Sequence, residues 1–182
     1  MIGTELLDDP AADPAAVRAQ LGDIARLNAW FGGRSAVTDA LRPYLARARG
    51  ATLTALDVGA GAGDILNAAT AVARHDYGVR LSSVALERSR AAAAVARGHG
   101  FPTVIGDGAA LPFAEASVDF VIVSQVLHHL PAAQAVGWLA ALDRIARRAV
   151  IVADLRRSRL AMAGLWLACV PLGLDASTRR DA

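Results

Sequence analysis

Leu56-Asp57-Val58-Gly59-Ala60-Gly61-Ala62-Gly63-Asp64 joins a strand-like run, Thr52 to Val58, to an Ala-rich helical run, Ile65 to Arg74. The glycines therefore mark a strand-to-helix turn. Alternate glycines let the backbone take positive φ and bring a ligand close to the N–H groups of the turn. The helix that follows points its positive end at the same place, which favours a carboxylate or phosphate. A dinucleotide fingerprint reads G-x-G-x-x-G, with an acidic residue about 20 positions on. Counted from Gly59, the sixth position is Asp64, a poor neighbour for a pyrophosphate. The third glycine falls at Gly63 instead, and Asp57 precedes the first.

Outward from this turn, Val79 to Leu86 reads as a second strand ending at Glu87. A short third strand, Thr103 to Ile105, runs into Gly106-Asp107-Gly108-Ala109-Ala110-Leu111-Pro112-Phe113. Val118 to Ser124 reads as a buried fourth strand, followed by Gln125-Val126-Leu127-His128-His129-Leu130. The D-x-G-x-G-x-G turn, the acid ending the second strand, the G-D-x-x-x-L-P-F string and the D-F-V-x-x-x-x-V-L-H-H-L string occur in this order. Together they resemble the class I methyltransferases that use S-adenosylmethionine. Within that class they are similar to the small-molecule enzymes of quinone and polyketide biosynthesis.

The resemblance implies an α/β, Rossmann-like, mostly parallel sheet with S-adenosylmethionine as cofactor. It implies that Asp57, Gly59, Ala60, Gly61 and Gly63 hold the methionine end, which carries an ammonium and a carboxylate. Glu87, with Arg88 beside it, would take the ribose hydroxyls through charge-assisted bonds. Gly106, Asp107, Gly108 and Ala109 would form the adenine loop, with Asp107 accepting from the adenine amino group. Ser124 and Gln125 would complete the site where the fourth strand ends. The acceptor would be a small, aromatic or polyketide-like molecule.

Each residue also has a plainer reading. Asp57 can end a strand, Asp64 can serve the first turn of a helix electrostatically, and Glu87 can be a solvated helix-start acid. Asp107-Gly108 is a common turn pair. His128 and His129 are adjacent, so in a helix they diverge by about 100° and cannot both face one ligand. Histidine suits a general base near neutrality, and His129 is the candidate, with His128 the alternative. With Cys169 the single thiol and no H-x-x-x-H spacing, no metal site is expected.

The composition bounds the answer. The chain has 182 residues, enough for one sizeable core. Ala supplies 42 of them, so the 54% hydrophobic content overstates the large core side chains. Every basic side chain is Arg, and a net charge of +2 is too small to argue for a nucleic-acid surface. One Cys and an acidic N-terminal stretch (Glu5, Asp8, Asp9, Asp13) without a basic-then-apolar signal suit a cytoplasmic protein.

The flanks are expected to be helical. Asp13-Pro14 is a cap and first-turn pair. Val17, Leu21, Ile24, Leu27 and Phe31 then form one apolar face. Gly32-Gly33 stops that helix and Ser35 caps the next, which carries Val37, Leu41 and Leu45. Arg26, Asn28 and Trp30 are candidates for a lid. Downstream, Pro131 to Arg148 reads as a helix with Val136, Leu139, Leu142 and Ile145 on its apolar face, and Ala149 to Asp154 as a fifth strand. Arg144, Arg147, Arg148, Arg156, Arg157 and Arg159 form a basic cluster that is solvated or attracts an anionic partner. Leu160 to Leu174 is uncharged, yet shorter than the about 20 residues a transmembrane helix needs.

This divides the chain into a helical extension over 1–50, a cofactor core over 51–155 and an apolar helix with its tail over 156–182. The family's last strands are expected to be missing, leaving strand five as an edge open to a homodimer. Two rivals remain at this level: a non-catalytic cofactor-binding or scaffold protein, and an NAD-dependent oxidoreductase, which Asp64 and the absence of Lys disfavour.

Overall fold

A computed structural model describes Leu7, Asp9 and residues 12–154. Asp13 caps α1 (Pro14–Trp30), accepting from the amides of Ala15 and Ala16 at 3.3 Å each. Pro14 supplies a preset φ at the first helical position. α2 (Gly33–Ala46) starts differently from expectation. Its cap is Gly32, in the left-handed region at φ 87°, and the Ser35 hydroxyl lies inside the first turn, donating to the Gly32 carbonyl at 3.1 Å. Phe31 falls off the apolar face too, because it follows the last turn of α1 and stands 54% exposed.

The remaining elements alternate: β1 (Thr52–Val58), α3 (Asp64–Tyr77), β2 (Arg80–Glu87), α4 (Arg90–Gly98), β3 (Thr103–Ile105), β4 (Val118–Ser124), a 3₁₀ turn (Leu127–His129), α5 (Ala132–Ile145) and β5 (Ala146–Ala153). The sheet order is β3-β2-β1-β4-β5, with every pair parallel. The chain winds outward from β1 to β3, then crosses back to place β4 on the other side of β1. Such a reversal opens a crevice at the carboxyl ends of the central strands.

Both faces of the sheet are covered. Phe120 and Ile122 pack with Leu41, Leu45 and Leu66 on one side, while Val121 and Val123 pack with Leu56, Leu86 and Leu142 on the other. Burial on two faces explains why β4 reads as a continuous apolar run instead of an alternating one.

The junction of α5 and β5 departs from the sequence reading. The helix stops at Ile145, and Arg147 and Arg148 belong to the strand. Asp119 of β4 accepts from Arg148 Nε at 2.8 Å, from the Thr54 amide at 2.9 Å and from the Thr54 hydroxyl at 3.0 Å, so one carboxylate ties β1, β4 and β5. The buried face of α5 also shifts. Val136 is 75% exposed, and Trp138 takes its place with Leu142 and Ile145 at helical spacing. The run Leu160 to Leu174, with Arg156, Arg157, Arg159 and the whole 156–182 segment, lies outside the described residues. No described helix is long and apolar enough to cross a membrane.

Candidate active site

A cleft of about 640 Å³ opens where β1, β2 and β4 end, a volume in the usual range of small-molecule sites. The turn after β1 forms its floor, with Asp57, Gly59, Ala60 and Gly61 on the wall. Gly59, Gly61 and Gly63 all take positive φ, between 53° and 76°. A Cβ at Gly59 would sit 2.5 Å from Val126 Cγ2, and one at Gly63 would sit 2.8 Å from Phe101 Cδ2. Gly63 does not line the cleft. It stands at the N-terminus of α3 against Phe101 and shapes the turn from behind.

Acidic groups gather around this turn. Asp57 is 1% exposed at the end of β1. Burial pushes its carboxyl up to about 8, helped by the negative charges of Asp64 and Glu87. Glu87, at the end of β2, accepts from the Gly61 amide and from the Ser89 amide, both at 2.9 Å. Asp64 begins α3 and anchors the N-terminal helices, accepting from Asn28 Nδ2 at 3.2 Å and Arg34 Nε at 3.3 Å.

Arg88, Gly106, Asp107, Gly108 and Ala109 form the next wall. Asp107 makes the turn contact that a plain reading foresees, accepting from the Ala109 amide at 2.9 Å. Trp138 of α5 was not foreseen as a site residue. Its indole N–H donates to the Gly108 carbonyl at 2.7 Å and places an aromatic ring beside this loop. The available signal was its spacing to Leu142 and Ile145.

Ser124 and Gln125 line the cleft at the end of β4. The Ser124 hydroxyl is buried with no hydrogen-bond partner among the described residues. Gln125 takes a left-handed φ of 57°, a strained choice for a side-chain-bearing residue. Its amide side chain donates to the Asn28 side-chain oxygen, so α1 is tied to β4 as well as to α3. Of the three lid candidates, only Asn28 lines the cleft, together with Gln20, Leu21, Ile24 and Leu27 from α1. Arg26 pairs with Asp23 on the same helix, and Trp30 is 74% exposed.

The histidines correct a sequence expectation. The chain forms a 3₁₀ turn over Leu127–His129, so the two rings do not diverge. They stack with centroids 4.1 Å apart, tilted by 36°, and both line the cleft. His128 Nδ1 is 2.7 Å from Asp154 Oδ1, and the His128 amide donates to Asp154 Oδ2 at 3.1 Å. Among the described residues, no cluster of three metal-ligating side chains occurs.

An acid-and-glycine turn at the switch point of a parallel sheet, with a second acid ending the neighbouring strand, defines a class I S-adenosylmethionine-dependent methyltransferase. The sequence profile of the methyltransferase domain family matches residues 56–153, more than half of the chain, and the chain belongs to that family. This decides against the nicotinamide oxidoreductase. No match to a curated protein reaches significance.

Solved structures share the fold. A methyltransferase of this cofactor class from Aquifex aeolicus superposes with TM-score 0.56 at 19% identity, over 81% of this chain and 75% of that one. A candidate enzyme of the same class from Methanococcus maripaludis gives 0.56 at 12% identity, over 87% and 71%. A third, from Archaeoglobus fulgidus, gives 0.52 at 18%, over 78% and 62%.

The cleft fits the cofactor chemically. Its carboxylates suit an ammonium and a diol, and the buried Ser124 hydroxyl offers an unused polar atom. The loop packs closely on β1 at Gly108, where a Cβ would press Val58 Cγ1 at 3.1 Å.

Proposed function

We propose that this enzyme methylates a small aromatic or polyketide-like acceptor, in small-molecule biosynthesis in the cytoplasm. The observation that carries this reading is the histidine pair on the wall of the cleft that also contains the glycine turn. When bound, S-adenosylmethionine supplies a methyl group already activated on a sulfonium. The protein's part is then alignment, exclusion of water and acceptance of a proton. A phenol, with an ordinary pKa near 10, benefits from a neighbouring base, and His129 or His128 supplies it. Asp57 and the turn at Gly59, Ala60 and Gly61 hold the methionine end in this reading, with Gly63 shaping the turn from behind. Glu87 and Arg88 serve the ribose, Gly106 to Ala109 serve the adenine, and Ser124 and Gln125 close the far wall. The strand-five edge is the proposed contact of a homodimer.

The test has two stages. Calorimetric titration with S-adenosylmethionine, S-adenosylhomocysteine and NAD should show binding of the first two and not the third. Methyl transfer to a panel of phenols and aromatic polyketides then separates an enzyme for such acceptors from a non-catalytic binder. Glu87→Ala removes charge-assisted bonds and should weaken cofactor affinity by about 1.5–3 kcal/mol, roughly 10- to 150-fold. Unchanged affinity in a folded Glu87→Ala variant would remove the ribose assignment.

A further inference from the structure

β3 is three residues long and lies at the edge of the sheet, so it gives the loop that follows little hold. Residues 106–113 run on from it with neither helix nor strand. Among the described residues, hydrogen bonds tie this segment to the rest of the chain at two points. The Gly106 amide donates to the Glu87 carbonyl at 3.1 Å, and the Gly108 carbonyl accepts from the Trp138 indole at 2.7 Å. The second tie comes from α5, 30 positions along the chain.

Gly108 is held from two sides. A Cβ there would lie 3.1 Å from Val58 Cγ1 of β1 and 3.7 Å from Trp138 Cζ2, so strand, loop and ring are in close contact. Trp138 has its own support, because Leu142 and Ile145, one and two turns further along α5, are buried in the core. A helix packed on the sheet thus fixes the middle of an irregular loop. Asp107 stands beside that point on the cleft wall, with its Oδ1 taken by the Ala109 amide at 2.9 Å.

We infer that Trp138 is the positioning residue for the loop that receives the adenine, and that it sets selectivity for that base through Asp107. This rests on the adenine reading of Gly106 to Ala109 above. An ionised carboxylate only accepts hydrogen bonds, so it suits the amino group of adenine. Hypoxanthine presents a carbonyl oxygen at the same ring position and sets acceptor against acceptor. Discrimination of this kind needs the carboxylate held in one place, and a loop free to retreat loses it. The Trp138 N–H supplies that hold. Trp138→Phe keeps a ring and removes the donor.

Binding measurements test this without turnover. Calorimetry should show the wild-type protein preferring S-adenosylhomocysteine to its 6-oxo analogue, S-inosylhomocysteine, by about 10-fold or more. Trp138→Phe should weaken S-adenosylhomocysteine by about 3- to 10-fold and S-inosylhomocysteine by less, so that the preference shrinks. Equal weakening of both ligands would mean that Trp138 only supports the fold. Unchanged affinity for both would mean that it does not govern the site. Either result overturns the inference.

Hydrogen exchange in the ligand-free protein addresses the loop itself. In the wild type the Trp138 indole proton should be protected, and a freely exchanging indole would refute the clamp without any variant. The Ala109 amide, bonded to Asp107 Oδ1, and the Ala110 amide, bonded to the Asp107 carbonyl at 3.0 Å, report on the turn. Both should exchange about 3- to 10-fold faster in Trp138→Phe, while β1 and β4 keep wild-type rates. Unchanged rates at Ala109 and Ala110, or a rise spread through β1 and β4, would sink the positioning role. If the wild type binds both ligands equally while the loop responds to Trp138→Phe, the adenine reading fails and the positioning role stands.

Discussion

Asp57 holds its carboxyl out of water at the end of β1, and that burial has a thermodynamic signature. The group titrates at about 8 in the fold, against 3.8 for the ordinary side chain. Between those values the folded state keeps a proton that the unfolded chain has released. Its contribution to stability is therefore complete below about pH 3.8 and is lost as pH rises through about 8. A cationic ammonium placed against Asp57 would reverse the preference and expel the proton. Cofactor binding at neutral pH should accordingly release a proton, and Asp57→Asn should abolish the release. Titration calorimetry in two buffers of different ionisation enthalpy reads this directly. Identical heats in both buffers would show that Asp57 does not meet the ammonium.

Among the elements, β5 shows where sequence periodicity misleads. Leu142 and Ile145 keep helical spacing into Ala146-Arg147-Arg148, so the pattern alone extends α5. The strand starts earlier because Arg148 finds Asp119 across the sheet, a partner 29 positions away. Desolvation pushes the Asp119 carboxyl upward, but the bonds from Arg148 and from the Thr54 amide and hydroxyl outweigh it and hold it below the ordinary range. Its contribution is thus present above the unfolded value, near pH 3.8, and is lost as pH falls through the lower folded value. Thermal melts from about pH 6 downward should show Asp119→Asn losing less stability on acidification than wild type. Parallel melting curves for the two proteins would deny Asp119 this role.

The same contrast runs through the other elements. β1, β2 and β4 were legible because each is a local apolar or β-branched run, and the first two end at a glycine turn and an acid. The Gly32 cap, the rotated face of α5 and the stacked histidines were not, since each depends on turn geometry or on distant partners. In the site, the glycine turn and the loop from Gly106 to Ala109 could be read from local strings. Trp138 and Asp154 could not, because only the folded sheet brings them beside Gly108 and His128.

At the scale of the molecule, the described sheet ends at β5, whose Val152 is 42% exposed. Among the described residues β5 has a strand neighbour on one side only, which suits the proposed pairing with a second copy. Light scattering should find a dimer, and Val152→Lys should shift it to monomer. A wild-type monomer at high concentration would refute the proposed edge contact. The glycine turn has a different consequence at this scale. Side chains at Gly59 and Gly63 would collide with Val126 and Phe101 whether or not a ligand is present. Selection for folding alone would therefore keep those two glycines in a descendant that had lost catalysis. In such a lineage the glycine signature would outlive the reaction.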